Sequence, residues 1–537
     1  MTHTFNAPSM RPRRSLKGRV YGWMSLLIAG TVALAACTDG TQAPLPSASS
    51  SSSQTEQGLP GQDPADNIVA GFEEYYTQKI EWEKCDGGTF HCATVSAPMD
   101  WDDPGSESIE IAIKLYSARG KSAMGTILTN PGGPGASGVD LVSYAPLMFG
   151  KKLLENYNIL GWDPRGVGQS SAVTCFDAPE MDAYLAMSFD TTRPQALEVM
   201  QTEADKFAAA CKTNTGELLG HVDTQSSAKD MDLLRALMGD DKLNYLGFSY
   251  GTQLGATYAG LFPKNVGRLV LDGAIDLRLT PFEQSKQQAI GFENALKAWA
   301  TDCYEASQCP VAGDVDQVMQ SVADLFKQLM SKPMTTSDPD RRLTQSLAFY
   351  GVAQPLYAQE LWPVLNDALY AAFQEKDGSG LLSLADQYFG RDEDGTFADN
   401  QTEAFTAVNC LDDRASSVYE TMQMEAKEIE EAAPVMGSSF GFGGIGCKNW
   451  PYPVAEKTFD LAASGADPIM VIGTTNDPAT PYVWAQGLAE QLESGFLVTY
   501  EGEGHTAYGR GSTCVMDTVD SYFVDGTVPT SDPQCTR

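Results

Sequence analysis

Between Asn244 and Thr252 the chain reads NYLGFSYGT, which sets Ser249 between two glycines. A serine hydroxyl attacks a carbonyl only when a base removes its proton, so such a serine implies a histidine and an orienting carboxylate elsewhere. The pattern alone does not choose the nucleophile. The chain has 50 glycines, and GSSFG, Gly437 to Gly441, matches it as well. The flanks separate the two. KLNYL before Ser249 reads as a short buried strand and TQLGATYAG after it as a helix, and a sharp strand-to-helix turn needs small neighbours. Ser439 follows a helical stretch closed by Pro434 and precedes GFGGIG, where no helix can start. Ser249 is therefore the candidate nucleophile and Ser439 a loop residue.

The base is found by elimination. The chain has four histidines, His3, His91, His221 and His505. A serine on such a strand-to-helix turn resembles the α/β-hydrolase nucleophile, and in the α/β-hydrolase order the base comes last, after nucleophile and acid. Only His505, in GEGHTAYG on a flexible glycine loop, follows Ser249. The acid must lie between them at a strand end. Asp477, in MVIGTTNDPATP, is the expected residue, and Asp272, after RLVL, is its rival. Asn476 and Thr480 read as scaffold. Two backbone N–H groups must hold the oxyanion: Tyr250, next to the nucleophile, and one from Asn130-Pro-Gly-Gly-Pro-Gly135, where Gly133 is the first choice and Gly132 the second. The same loop lacks the Lys-Ser/Thr of a phosphate-binding loop. Arg165, in WDPRGVGQS, reads as structural, paired with Asp163 or a neighbouring carboxylate.

The elements that must position these residues follow from periodicity. SIEIAIKLYSA, GTILTN, YNILGWD, KLNYLGF, VGRLVLD, DPIMVIG and GFLVTY read as strands, with helical patterns between several of them. Apolar runs buried on both faces imply a mostly parallel sheet with helices on both sides. The alternation stops at Pro281 and resumes near residue 456. One α/β unit, 67–280 and 456–537, is thus expected to be split by a helical lid, 281–455.

Residues 1–36 read as an export signal: RPRRSLKGR carries cations only, an apolar run follows, and Leu34-Ala35-Ala36-Cys37 resembles the lipobox of bacterial lipoproteins, which implies cleavage before Cys37 and lipidation of its sulfur. The run is short for a transmembrane anchor. Arg13-Arg14 leaves twin-arginine export open. The Ser-, Pro- and Gly-rich stretch 37–66 reads as a flexible tether. A domain held on the extracellular face of the bacterial membrane, lipid-anchored and partly released, is the expected location. Setting Cys37 aside, the 11 cysteines leave an even number, which outside the cytosol suggests disulfides. Pairing in chain order gives short loops, Cys85–Cys92, Cys175–Cys211, Cys303–Cys309, Cys410–Cys447 and Cys514–Cys535, although sequence leaves connectivity open. None of the spacings suits zinc. A net charge of −34 argues against nucleic acid as a partner.

The set NPGGPG, GWDPRGVGQS, NYLGFSYGTQLGATYAGLFP, RLVLDG, NDPATP and GEGH, with EWEKC, VNCLDD and CKNWP, resembles the secreted tripeptidyl aminopeptidases of Gram-positive bacteria, α/β-hydrolase serine peptidases related to proline iminopeptidase. The resemblance spans about residues 78 to 520 in order. It implies an α/β-hydrolase fold, peptide substrates with a free N-terminus, release of short peptides (tripeptides in the named family) through an acyl-enzyme, and neither metal nor cofactor. A carboxylate near the site must then hold the α-ammonium: Asp412 and Asp413, held rigid if Cys410 pairs with Cys447, and Glu403 are the candidates. Asn130 stands where many relatives of the broader fold have His, which leaves the backbone donors undisturbed. An iminopeptidase, an esterase or acyltransferase with the same triad, and a non-catalytic binding lipoprotein are the alternatives.

Overall fold

The computed structural model describes residues 59–65 and 68–537. The leader, Cys37 and most of the tether fall outside that range. The last tether residues that are described are not free: Trp82 Nε1 donates to Pro60 O at 2.7 Å, Ile80 N to Gly61 O and Ala65 N to Ala236 O. Within the described part of the stretch read as tether, 37–66, the backbone of Pro60, Gly61 and Ala65 thus has fixed partners in Trp82, Ile80 and Ala236.

Among the described residues ten strands form one sheet: β1 (Glu83–Cys85), β2 (Phe90–Pro98), β3 (Ser108–Tyr116), β4 (Thr126–Asn130), β5 (Asn158–Trp162), β6 (Leu243–Phe248), β7 (Val266–Asp272), β8 (Ile469–Asn476), β9 (Gly495–Glu503) and β10 (Gln534–Cys535). Their order is β1-β2-β3-β5-β4-β6-β7-β8-β9-β10. The first three pair antiparallel, β3 meets β5 antiparallel, and every pairing from β5 to β10 is parallel. This is the α/β-hydrolase architecture.

Alternation along the central strands explains why the sheet is covered on both sides. Tyr245, Leu269, Leu271, Ile469 and Val471 enter one apolar cluster, while Leu246, Phe248, Val270, Met470 and Ile472 enter another. Successive side chains point to opposite faces, so an unbroken apolar run such as MVI on β8 needs two cores. The helix Thr224–Leu237 covers the first face and the helix Thr513–Asp525 the second.

The helices from Pro281 onward enclose an apolar cluster of their own around Trp299, Phe326 and Leu365. The first, Pro281–Glu305, starts on a capping box between Thr280 and Glu283. The lid is not one body over the whole of 281–455. The helix Gln401–Asp412 buries Ala407, Val408, Cys410 and Leu411 in the core under the sheet, whereas Val435 and Met436 rejoin the lid cluster and Ile429 and Ala433 pack with Ala289 of the first lid helix. A second insertion, unread in the sequence, precedes β6. The helices Ala178–Leu185 and Pro194–Thr215 lean against the lid, where Asp182 takes a paired contact from Arg391 and Ser346 bonds Ser188 and Leu185.

Five disulfides join cysteines in chain order: Cys85–Cys92, Cys175–Cys211, Cys303–Cys309, Cys410–Cys447 and Cys514–Cys535. Among the described residues no helix is long and apolar enough to cross a membrane, and no cluster of His, Cys, Asp and Glu could hold a metal ion.

Candidate active site

Parallel strands deliver their carboxyl ends to one edge, and the predicted residues stand there. Asn130 ends β4, Ser249 follows β6, Asp272 ends β7, Asp477 follows β8, and His505 comes two residues after β9.

Ser249 has φ 55° and ψ −124°, a left-handed backbone that a non-glycine residue adopts only when its surroundings force it. Ser249 N donates to Asp272 O at 2.9 Å, and the helix Tyr250–Leu261 starts at once. The glycines are required by close approach: a Cβ on Gly247 would lie 2.5 Å from Gly251 O. Ser249 Oγ does not cap the helix and, among the described residues, makes no hydrogen bond, which leaves it at the tip of the turn. Tyr250, first in its helix, has an N–H without an intrahelical acceptor. The glycine loop lies against this turn, since a Cβ on Gly132 would stand 2.9 Å from Ser249 Cβ and 3.1 Å from Tyr250 N. Gly132 N, however, donates to Asn130 Oδ1 at 2.9 Å. That removes Gly132 as an oxyanion donor and leaves Gly133, whose N–H has no acceptor among the described residues.

His505 is held on all sides. Nδ1 lies 2.9 Å from both oxygens of Asp477 and 3.3 Å from Thr480 Oγ1. Asp477 also accepts from Ala479 N, Thr480 N, Thr480 Oγ1 and Thr506 N. This carboxylate therefore fixes the ring and is itself fixed. Cε1 of His505 reaches the position a Cβ on Gly273 would occupy within 3.2 Å, which sets the imidazole beside the residue after β7 and so beside the Ser249 turn. With Nδ1 engaged, Nε2 is the nitrogen left for proton transfer. No hydrogen bond joins Ser249 Oγ to His505 Nε2 in this structure; apo sites of this kind tighten when substrate binds.

The histidine loop differs from the flexible loop expected of its glycines. Four successive N–H groups are bound: His505 to Tyr357 O, Thr506 to Asp477, Ala507 and Tyr508 to Asp272, the last at 2.7 Å. Asp272, the rival acid, thus clamps the loop backbone and does not touch the ring. Thr480, read as scaffold, bonds both Asp477 and His505 Nδ1. No local signal marked Tyr357, because it lies in the lid, about 150 residues from the loop it holds.

The remaining candidates are dispersed. Ser439 is exposed on a short turn with Gln345 as its partner. His91 lies on β2, and His221 faces Asp100 at 4.0 Å. Arg165 is fully buried and pairs in a two-pronged contact with Asp230, both at 2.7 Å, while Asp163 accepts from Ser137, Val139 and Gln169 instead. Asp413 is exposed and pairs with Lys457 at 3.2 Å. Asp412 accepts from Thr224 N, Thr224 Oγ1 and Gln253 Nε2, beneath the nucleophile turn, with Tyr250 OH on the same Thr224 hydroxyl.

Glu403 differs from both. It stands in the first turn of Gln401–Asp412, 9% exposed, with no cation in ion-pair reach among the described residues. That turn packs on the glycine loop: a Cβ on Gly135 would meet Gln401 O at 2.8 Å. Burial pushes the Glu403 carboxyl up to about 7, with Asp399 adding to the rise.

Burial also raises Asp412 to about 7 and Asp272 to about 6. Folded-state values above the unfolded ones mean that the native protein holds protons the unfolded chain has lost. The stability these groups contribute is complete below their ordinary range and is lost as pH rises to about 7. Thermal denaturation should therefore give a higher midpoint at pH 5 than at pH 8, and Asp412→Asn should shrink that difference.

The family described as TAP-like protein matches residues 433–535, which hold Asp477 and His505. Serine protease Hip1 of Mycobacterium tuberculosis is 34% identical over 479 residues, 85% of this chain and 91% of that protein. This chain belongs to the TAP-like family of α/β-hydrolase serine peptidases. It is accordingly a serine hydrolase. Two further proteins are similar: carboxylesterase B of M. tuberculosis, 36% identical over 490 residues, 90% of this chain and 93% of that one, and the tripeptidyl aminopeptidase of Streptomyces lividans, 27% identical over 479 residues, 85% and 86%.

Proposed function

We propose that this TAP-like enzyme is an exopeptidase that releases short peptides, tripeptides foremost, from the free N-terminus of peptide substrates. Ser249 attacks the scissile carbonyl while His505 Nε2 takes its proton. Asp477 holds the ring and stabilises the imidazolium. The N–H groups of Gly133 and Tyr250 receive the oxyanion. His505 then protonates the leaving amine, and water releases the acyl group by the same route.

Glu403 carries the choice of an amine-anchored peptidase. A buried carboxylate without a cation, next to the oxyanion loop, is costly unless a charge arrives to meet it, and a peptide α-ammonium supplies that charge. The test compares a tripeptide arylamide with its N-acetyl derivative. The free amine should be cleaved about 100-fold faster in kcat/KM, and Glu403→Gln should remove most of that ratio. The pH dependence follows from the two charges. Below about 7 Glu403 is protonated and loses the attraction, and above roughly 8 the α-amine is neutral, so the preference should peak between them. An undiminished rate on the acetylated substrate would refute the anchor.

The esterase reading is the second one, favoured by the likeness to a protein named carboxylesterase B. It predicts the opposite ranking: short acyl esters cleaved faster than any free-amine peptide. In the proposed setting the enzyme stands on the extracellular face of the membrane, held by a lipid on Cys37. The five disulfides suit an oxidising compartment. Metabolic labelling with a fatty acid that is lost in Cys37→Ala tests the anchor.

A further inference from the structure

Beyond the triad and the amine anchor, one surface of the lid touches the site without a part in the proposed chemistry. The ring of Tyr357 lies edge-on to the His505 imidazole, 5.4 Å between centroids at 84°. Tyr357 is followed by Tyr388 at 6.4 Å, Tyr388 by Tyr350 at 4.8 Å, and Tyr350 by Phe389 at 4.6 Å. All four are only partly buried. Burial raises all three phenols, so the wall stays uncharged at any working pH.

The position of this wall fixes what can meet it. His505 must hand its proton to the leaving amine, so the residue carrying that amine lies on the histidine's side of the scissile bond. The ring's other surroundings are taken: Nδ1 is bound by Asp477 and Thr480, and Cε1 faces Gly273. The amine anchor lies across the nucleophile, on the glycine-loop side. We propose that Tyr350, Tyr357, Tyr388 and Phe389 form the subsite for the side chain of the leaving residue, the first after the cut, and that it takes apolar, preferably aromatic, side chains. An aromatic side chain buried there gains area and edge-to-face contacts that a glycine cannot make. This inference rests on the acyl-enzyme reading above.

The experiment uses two peptides with one N-terminal tripeptide, Ala-Ala-Ala, followed by Phe-amide or Gly-amide, with the cut located by mass spectrometry. The Phe substrate should show a kcat/KM at least roughly tenfold above the Gly substrate. In Tyr388→Ala the ratio should fall to within about threefold of unity, and in Tyr388→Phe, which keeps the ring, it should be retained. A ratio near one in the unmodified enzyme, or one unchanged in Tyr388→Ala, overturns the subsite. Fluorophosphonate labelling of Ser249, run on every variant, separates the two levels. Absent labelling in the unmodified enzyme strikes the hydrolase mechanism itself, whereas full labelling with flat selectivity strikes only the aromatic wall. Should Tyr388→Ala fail to label, the unmodified enzyme's ratio and Tyr350→Leu decide.

Discussion

Ser249→Ala should lower kcat by about 10⁶-fold and leave the thermal midpoint unchanged. The two halves of that expectation have different sources. The loss is that of the covalent pathway: without the hydroxyl no acyl-enzyme forms, and what remains comes from the oxyanion donors and binding. The unchanged stability follows because, among the described residues, Ser249 Oγ makes no hydrogen bond that its removal could break. Alanine also keeps the Cβ, so the left-handed backbone at φ 55° is as strained as before. Ser249→Gly would abolish activity equally but relieve that strain, and should raise stability by about 1 kcal/mol. Active-site titration with a fluorophosphonate, beside calorimetry of the three proteins, measures both halves. A Ser249→Ala protein with more than a thousandth of the original kcat would displace Ser249 from its role.

Asp477→Asn should lower kcat by about 10⁴-fold, with KM little changed. The carboxylate accepts from His505 Nδ1, Ala479 N, Thr480 N, Thr480 Oγ1 and Thr506 N. An asparagine can keep Oδ1 on Ala479 and Thr480, but its amide nitrogen then faces the N–H of Thr506 and the imidazole, donor against donor. The ring is driven to the tautomer with its proton on Nε2, where it cannot take the serine's proton. Some stability should be lost with it, because Thr506 N is left buried and unpaired. Asp272→Asn is the comparison. It disturbs the N–H groups of Ala507 and Tyr508 and not the ring, so its activity loss should be far smaller than that of Asp477→Asn. Equal losses would contradict the assignment of the acid.

Chain order and local pattern bore most of the reading. The strand-to-helix flanks of Ser249, the single histidine after it, and the Asp-Pro turn after an apolar run each depend on a few adjacent residues. In parallel sheets, such positions converge at one edge whatever lies between them. The chain order of the cysteines likewise coincided with the pairing. By contrast, Gly132 and Gly133 are neighbours with the same residue type, and only the folded loop separates them, because the Asn130 side chain occupies the N–H of the first. Asp412, Asp413 and Glu403 are equally acidic in sequence. Tertiary contacts bring hydroxyl and amide partners to Asp412, a lysine to Asp413 and, among the described residues, no cation to Glu403.

The sequence by itself thus determined the nucleophile turn, the order of acid and base, and the sheet that presents them, since these rest on short-range sterics and on hydrophobic periodicity. The tertiary structure decided which carboxylate has no cation in reach among the described residues, that Gln401–Asp412 joins the hydrolase body while Val435 and Met436 rejoin the lid, and that the Tyr357 ring, far away in the chain, lies against His505. Those outcomes depend on contacts between segments more than a hundred residues apart. Burial and hydrogen-bond partnership, which set charge and reactivity, are properties of the packed molecule and have no local sequence signature.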